Sequence, residues 1–282
     1  MNLFRVVPPL LIVIMLLLAA GCVQEQAAPV VNETTAATGQ EAMVLVLSEV
    51  TGGMQDALSG LDRSTSDAAI ALGMTGLSGP EADAVLGRVA AAHPAVLTVI
   101  TLDPDGTVVS AVPDDAKVLS GENLGDQPAV RQILATQKPL MSGLIPLAQG
   151  GYATVIEYPV YSGNGNFTGV ISTAFLPWKL VGPVAENAAG GTPYTFMVAQ
   201  AGGRVLYDPD PEEIGKETFN ETLYADFPGI LEFARQYSGN LTGYATYSFY
   251  RTGFGKVVEK EAFWNTIGMH GTEWRVIVIS VV

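Results

Sequence analysis

VLTVITLDPDGTVVSAVPDDAKVLSGENLGD (residues 96–126) and YTFMVAQAGGRVLYDPDPEEIGKETFNE (residues 194–221) follow one plan. Each reads as an apolar strand, a Gly turn, a second strand, an acidic Pro turn, and then Gly ahead of a polar stretch. Gly106 and Gly203 supply the positive φ that a tight hairpin needs, and the second strands lead into Pro113 and Pro209. Repetition on this scale predicts two related modules in place of one large domain.

After the first hairpin, residues 127–136 are expected to form a short helix. GYATVIEYPVYS and FTGVISTAFL then pair as strands around Gly163-Asn164-Gly165. After the second hairpin the same plan runs through PGILEFARQYS, GYATYSFYR, KEAFWNTIG and TEWRVIVISVV. Upstream, Val44, Leu47, Met54, Leu58, Leu61, Ala68, Ala69 and Leu72 recur at spacings near three and four, which predicts a long amphipathic helix over 41–74, weakened at Gly52 and Gly53. A second helix runs over 80–92, with Ser78 and Glu81 spaced as a capping box, and Pro94 ends it. The expected fold class is α+β: a long N-terminal helix followed by two modules, each an antiparallel sheet flanked by helices. The divisions are N-terminal helices over 41–92, a first module over 93–185 and a second over 190–282.

The N-terminus reads as an export signal. Arg5 precedes an apolar run over 6–18, then come Ala19, Ala20, Gly21 and Cys22, the order charge, apolar core, small residues, cysteine. A membrane span is the alternative, but it needs about 20 apolar residues, and this run is shorter and contains Pro8 and Pro9. LAAGC resembles a lipobox, with Ala19 where Leu or Val is usual, so residues 1–21 are expected to be a lipoprotein signal peptide and Cys22 the lipid-bearing first residue. Cys22 is also the only cysteine, which rules out an intrachain disulfide. Residues 22–40, rich in Ala, Thr, Gln and Glu without apolar periodicity, read as a flexible stalk. With 28 acidic against 14 basic residues the net charge is -14, which disfavours nucleic acid and anionic lipid surfaces as partners.

Three stretches carry a family likeness: GENLGDQPAVRQILATQKPLMSG (121–143), YPVYSGNGNFTGVIS (158–172) and GGRVLYDPDPEEIGKE (202–217). With the order long helix, hairpin, short helix and returning strands, the chain resembles the extracellular double Cache, PAS-like sensor domains of prokaryotic chemoreceptors and sensor kinases. The resemblance implies a membrane-distal module (93–185), a membrane-proximal module (190–282) and a small-molecule ligand between sheet and helix. In amino-acid-binding members the pocket helix offers an Arg and two aromatics, and a strand Asp takes the ammonium. Those positions here fall on Gln127, Ala129, Val130 and Ala174, so the typical amino-acid mode is not expected. The remaining candidates are Gln127 with Arg131 one helical turn on, Leu144 in the approach segment, and Tyr152, Thr154 and Ile156 on one strand face. They suit a small, weakly polar or mono-anionic ligand, with Arg131 either holding a carboxylate or solvated on the helix surface. Glu157 falls on the opposite strand face, exposed or structural. In the second module Tyr194, Tyr207 and Tyr247 are candidates to line a smaller pocket or simply to pack.

Catalytic motifs are absent. There is no G-x-S-x-G, and the two histidines, His93 at a helix end and His270 in a turn, belong to no recognisable triad. The acidic turns at Asp103-Pro-Asp105-Gly106 and Asp208-Pro-Asp210 lack EF-hand spacing and match ordinary turn chemistry, and GNGNFTG lies in a hairpin and does not fit a dinucleotide loop. No cofactor or metal is expected. The chain stops at Val282 directly after WRVIVISVV, where transmembrane relatives continue into a membrane helix. The expectation is therefore a lipid-anchored extracytoplasmic sensor-type protein without its own output. It would lie on the outer face of a bacterial or archaeal membrane and present ligand to a transmembrane receptor or transporter, with the long helix offering a homodimer contact. The rivals are a structural or adhesion lipoprotein with degenerate pockets and a secreted hydrolase.

Overall fold

The computed structural model describes residues 31–147 and 151–282. The expected leader, Cys22 and the first part of the stalk lie outside the described residues. Helix α1 spans Val31–Thr75, so it begins inside the segment read as a stalk. Extension onto an existing helix needs no new nucleus, and nothing helix-breaking stands between Val31 and Glu41 except Gly39. The buried stripe of α1 is Met43, Leu47, Val50, Met54, Leu58, Leu61, Thr65, Ala68, Ala69 and Leu72, the three-and-four spacing of a helix face set against a core. Val44, expected in that stripe, is 46% exposed, because Met43 takes the inward place.

Helix α2 spans Pro80–Ala92 and is entered from Gly79 (φ 93°) without a side-chain cap. The expected capping box does not form. Pro80 occupies the first helical position, which makes Gly79 the capping residue and leaves Ser78 one place too early.

The first module holds β1 (Val96–Leu102), β2 (Val108–Val112), helix α3 (Pro128–Thr136), β3 (Leu140–Met141), β4 (Ile145–Pro146), β5 (Tyr152–Tyr161) and β6 (Phe167–Phe175). Its sheet is ordered β2-β1-β6-β5-β3, with β4 also on β5. Helix α4 (Pro177–Gly191) follows, with Pro183 inside it; the Gly182-Pro183 pair hid it from the periodicity reading. The second module holds β7 (Thr195–Gln200), β8 (Val205–Tyr207), helix α5 (Pro228–Gly239), β9 (Gly243–Tyr250), β10 (Val257–Met269) and β11 (Thr272–Val281). Its order is β8-β7-β11-β10-β9, the first module's arrangement again.

The repeat extends to individual hydrogen bonds. Val108 N–H donates to Glu122 O, Gly121 N–H to Val108 O and Leu124 N–H to Gly106 O. In the second module Val205 N–H donates to Lys216 O, Gly215 N–H to Val205 O and Thr218 N–H to Gly203 O. Gly106 (φ 83°) and Gly203 (φ 96°) both hold the left-handed conformation expected of the hairpin turns.

Strand alternation gives each sheet two buried faces. On the first sheet, Ile156, Val160, Ile171 and Phe175 pack toward α1 and α2, while Ile100, Val155, Val170 and Ala174 pack toward α3. Thr65 on α1 donates to the Thr173 hydroxyl at 3.0 Å, fixing which face α1 covers. Beside it, Asp62 Oδ1 accepts from Tyr158 OH at 2.9 Å and lies 2.7 Å from His270 Nε2. That carboxylate ties the long helix, the first module's β5 and the turn between β10 and β11 into one clasp.

Candidate ligand-binding site

The α3 side of the first sheet is where the module leaves polar groups inside. Helix α3 starts at Gln127, held extended (φ -68°, ψ 136°), with Pro128 at the first helical position. Ala129, Val130 and Ile133 of α3 are buried against the sheet. The loop leading to α3 is pinned by Asn123, whose Nδ2 donates to Asp105 O at 2.9 Å and whose Oδ1 accepts from Gly125 N–H at 3.0 Å. Between loop, helix and sheet lies a cavity of about 30 Å³ lined by Gln127 and Val130 on one side and Thr98, Val155, Glu157, Ser172 and Ala174 on the other. That is room for roughly two water molecules.

Glu157 is the decisive group. It is 1% exposed, its Oε1 accepts from the Ser172 hydroxyl at 3.0 Å, and its Oε2 has no partner among the described residues. Burial pushes its carboxyl up to about 7, while the Ser172 bond pulls the other way. Removing a carboxylate from water without a counter-charge favours its neutral form. Among the described residues no Lys, Arg or His lines the cavity. The site therefore presents one unpaired carboxyl oxygen, or at lower pH one O–H donor, beside the neutral side chains of Thr98, Gln127 and Ser172 and an apolar remainder.

Of the residues picked out in the sequence, Gln127, Val130 and Ala174 line this cavity, and Ala129 is buried in the same cluster. The others lie elsewhere. Arg131 is on the surface, its Nη2 donating to Asp126 O at 2.9 Å and standing 3.7 Å from Asp126 Oδ1, so it does not reach the cavity. Leu144 packs on the core under α1, and its N–H donates to Gln200 Oε1 at 3.0 Å, where the two modules touch. Tyr152 is 55% exposed. Thr154 and Ile156 are buried on the face that α1 covers, since a strand turns alternate side chains to opposite sides. The strand positions that meet the cavity are Val155 and Glu157, one register step away. Glu157 does lie on the opposite face from Ile156, as expected, but that face is the cavity wall.

In the second module Tyr247 lines a separate cavity between α5 and the sheet, Tyr207 borders an open groove, and the Tyr194 hydroxyl donates to Gly39 O at 3.3 Å. His93 directly follows α2, its Nδ1 accepting from Ala95 N–H at 3.0 Å and bracing the turn into β1. Asp103 Oδ1 accepts from the N–H groups of Asp105 and Thr107, both at 2.9 Å, which is turn chemistry. Among the described residues no cluster of His, Cys, Asp and Glu has the makings of a metal site.

Residues 56–177 match the family described as HK/GC/chemotaxis protein-like, sensor domain. The chain has the double Cache sensor fold. Among solved structures, an extracellular ligand binding receptor from Desulfohalobium retbaense DSM5692 is 25% identical, with a TM-score of 0.69 over 84% of this chain and 40% of that one. This double Cache chain thus spans about two fifths of that receptor's length. The ligand binding domain of the Pseudomonas aeruginosa PAO1 amino acid chemoreceptor PctB, solved with L-Gln, is 15% identical, with a TM-score of 0.60 over 85% of this chain and 89% of that one. The corresponding domain of the Pseudomonas fluorescens chemoreceptor CtaA, solved with L-isoleucine, is 12% identical, with a TM-score of 0.60 over 88% of this chain and 96% of that one. No curated protein matches the double Cache chain in sequence. It resembles extracellular ligand-binding sensor domains, not enzymes. Among the described residues no helix is long and apolar enough to cross a membrane.

Proposed function

We propose that this protein is a lipid-anchored extracytoplasmic sensor whose first-module cavity binds a small amine or another compact hydrogen-bond donor, with Glu157 as the recognising group. The observation that carries the reading is the free Oε2 of Glu157 inside a cavity lined by no cationic side chain among the described residues. An uncompensated buried carboxyl destabilises the fold, and a ligand ammonium placed against it would remove that penalty. Gln127 at the start of α3 supplies the second polar contact, and Ser172 orients the carboxyl. Of the weakly polar or mono-anionic ligands expected from sequence, the mono-anionic ones do not suit this site, since Arg131 is outside and the ionisable lining group is an acid. A net charge of -14 also draws cations toward the surface and repels anions. Anchored through Cys22, the domain would pass its ligand-bound state to a separate membrane protein.

The small volume favours one other reading, a structural surface protein whose cavity has closed. A closed relic has no use for a buried, half-partnered acid, and that counts against it. A thermal-shift screen of small primary amines against acids of matching size separates the two. An amine at 100 times its dissociation constant adds about 2.7 kcal/mol, so at least one amine should raise Tm clearly while the acids do not. If neither class stabilises the protein, the closed-cavity reading stands.

A further inference from the structure

The second module has its own cavity, and its chemistry differs. About 50 Å³ lies between α5, β9, β10 and the turn after β8, lined by Asp208, Glu213, Tyr224, Tyr247, Phe249 and Lys260 among others. That is room for roughly four water molecules. Beyond the Asp208-Pro209 turn is an open groove of about 710 Å³ that shares both residues, so the cavity is one turn away from bulk solvent.

Two acids of this wall are well paired. Glu213 Oε1 accepts from Lys216 Nζ at 2.8 Å and its Oε2 from Tyr224 OH at 3.0 Å. Asp210 Oδ1 accepts from Gly253 N–H at 2.7 Å. Among the charged groups of the wall, two are left over. Asp208 uses one carboxyl oxygen to accept from Asp210 N–H at 2.9 Å, and the other makes no hydrogen bond among the described residues. Lys260 is 9% exposed and makes no hydrogen bond or ion pair among the described residues. Its Nζ rests 5.6 Å from the centre of the Phe249 ring. Burial pushes the Asp208 carboxyl up to about 7 and lowers Lys260, while their attraction for each other across the cavity works the other way on both.

Two opposite charges thus face one cavity without meeting each other. A buried charge needs both a counter-charge and hydrogen bonds. A simple amine would serve Asp208 and leave Lys260 facing a like charge. A simple acid would serve Lys260 but would stand against Asp208, Asp210 and Glu213. Only a molecule with both ends satisfies both groups. We propose that the second module holds a separate site for a small zwitterion, with Asp208 taking its ammonium and Lys260 its anionic group, and Tyr247 and Phe249 as the walls.

This inference does not depend on the first-module reading, and calorimetry on the intact protein tests it alone. The probes are glycine, β-alanine and taurine; the single-ended controls are acetate, and methylamine titrated into the Glu157→Gln protein so that the first-module acid takes no part. At least one zwitterion should bind at one site per chain, more than tenfold tighter than either control. Asp208→Asn, which keeps the acceptor for Asp210 N–H, and Lys260→Met should each weaken it at least tenfold. Lys260→Arg should retain it, and Glu157→Gln should leave it unchanged. The proposal is overturned if no zwitterion binds, if methylamine or acetate binds as tightly, or if Glu157→Gln abolishes binding that folded Asp208→Asn leaves intact.

Discussion

Replacing Glu157 with Gln should stabilise the protein, and by an amount that depends on pH. The displacement of its carboxyl from 4.5 to about 7 corresponds to about 3 kcal/mol at 1.36 kcal/mol per pH unit. The sign follows from which state ionises first. Below the unfolded value both states are protonated and the group imposes no penalty. As pH rises from there toward 7 the unfolded chain ionises while the folded chain resists, so wild-type stability falls through this window and levels off above it. The amide of the Glu157→Gln variant does not titrate. Its oxygen can still accept from Ser172, and its N–H donor replaces the carboxylic O–H, so the substitution is close to neutral at pH 4. At pH 8 the variant should gain about 3 kcal/mol, or roughly 6–12 °C in Tm for a domain of this size. Calorimetric melting of both proteins at half-unit pH steps measures the difference directly. A constant difference across pH 4 to 8, or a difference that shrinks as pH rises, would refute the account of a dehydrated, half-partnered carboxyl, since Asp208, also raised to about 7, acts equally in both proteins.

Leu58→Ala, in the fully buried stripe of α1, should cost about 2–5 kcal/mol by denaturant unfolding, whereas exposed Val44→Ala should change stability by about 0.5 kcal/mol or less; equal costs would mean the stripe is misplaced. Arg131→Ala breaks only a surface contact with Asp126, so stability should fall by less than about 1 kcal/mol and the affinity of any first-module ligand should not move; a tenfold loss would bring Arg131 into the site. Cys22→Ser should shift the protein from the membrane to the soluble fraction, and a variant that stays with membranes in high salt would exclude the lipid as the anchor.

The fold was largely written in local signals. Gly106 and Gly203 marked both hairpins, Pro80 and Pro94 bounded α2, and Gly163-Asn164-Gly165 placed the turn between β5 and β6, because turn chemistry acts over a few residues and needs no tertiary context. Helix α4 escaped because Gly182 and Pro183 interrupt a segment that only packing holds helical. Gly53 shows the converse: a Cβ there would stand 3.0 Å from Val184 on α4, so a residue that reads as a weak point in α1 is where α4 makes its close approach.

The site was less legible. Gln127, Val130 and Ala174, placed by the family resemblance, do line the cavity, whereas the β5 candidates Thr154 and Ile156 lie one step out of register from it. Alternation says that Thr154 and Ile156 share a face and that Glu157 lies on the other; it does not say which face α1 will cover. With both faces of the strand buried, the usual contrast of apolar inside and polar outside disappears, and a carboxyl in the cavity looked like one turned to solvent. In the second module the unpaired state of Asp208 and Lys260 depends on residues about 50 apart in sequence, which no local pattern encodes.

The account rests on Glu157 as a dehydrated acid waiting for a donor, and its titration by carboxyl-carbon NMR, with and without a stabilising amine, tests that most directly. Without ligand the carboxyl should titrate near 7, and with amine saturating the first module its midpoint should drop toward or below the ordinary carboxylate value, since a bound ammonium favours the charged form. A midpoint near 4 in the free protein, or one unmoved by a saturating amine, would contradict it.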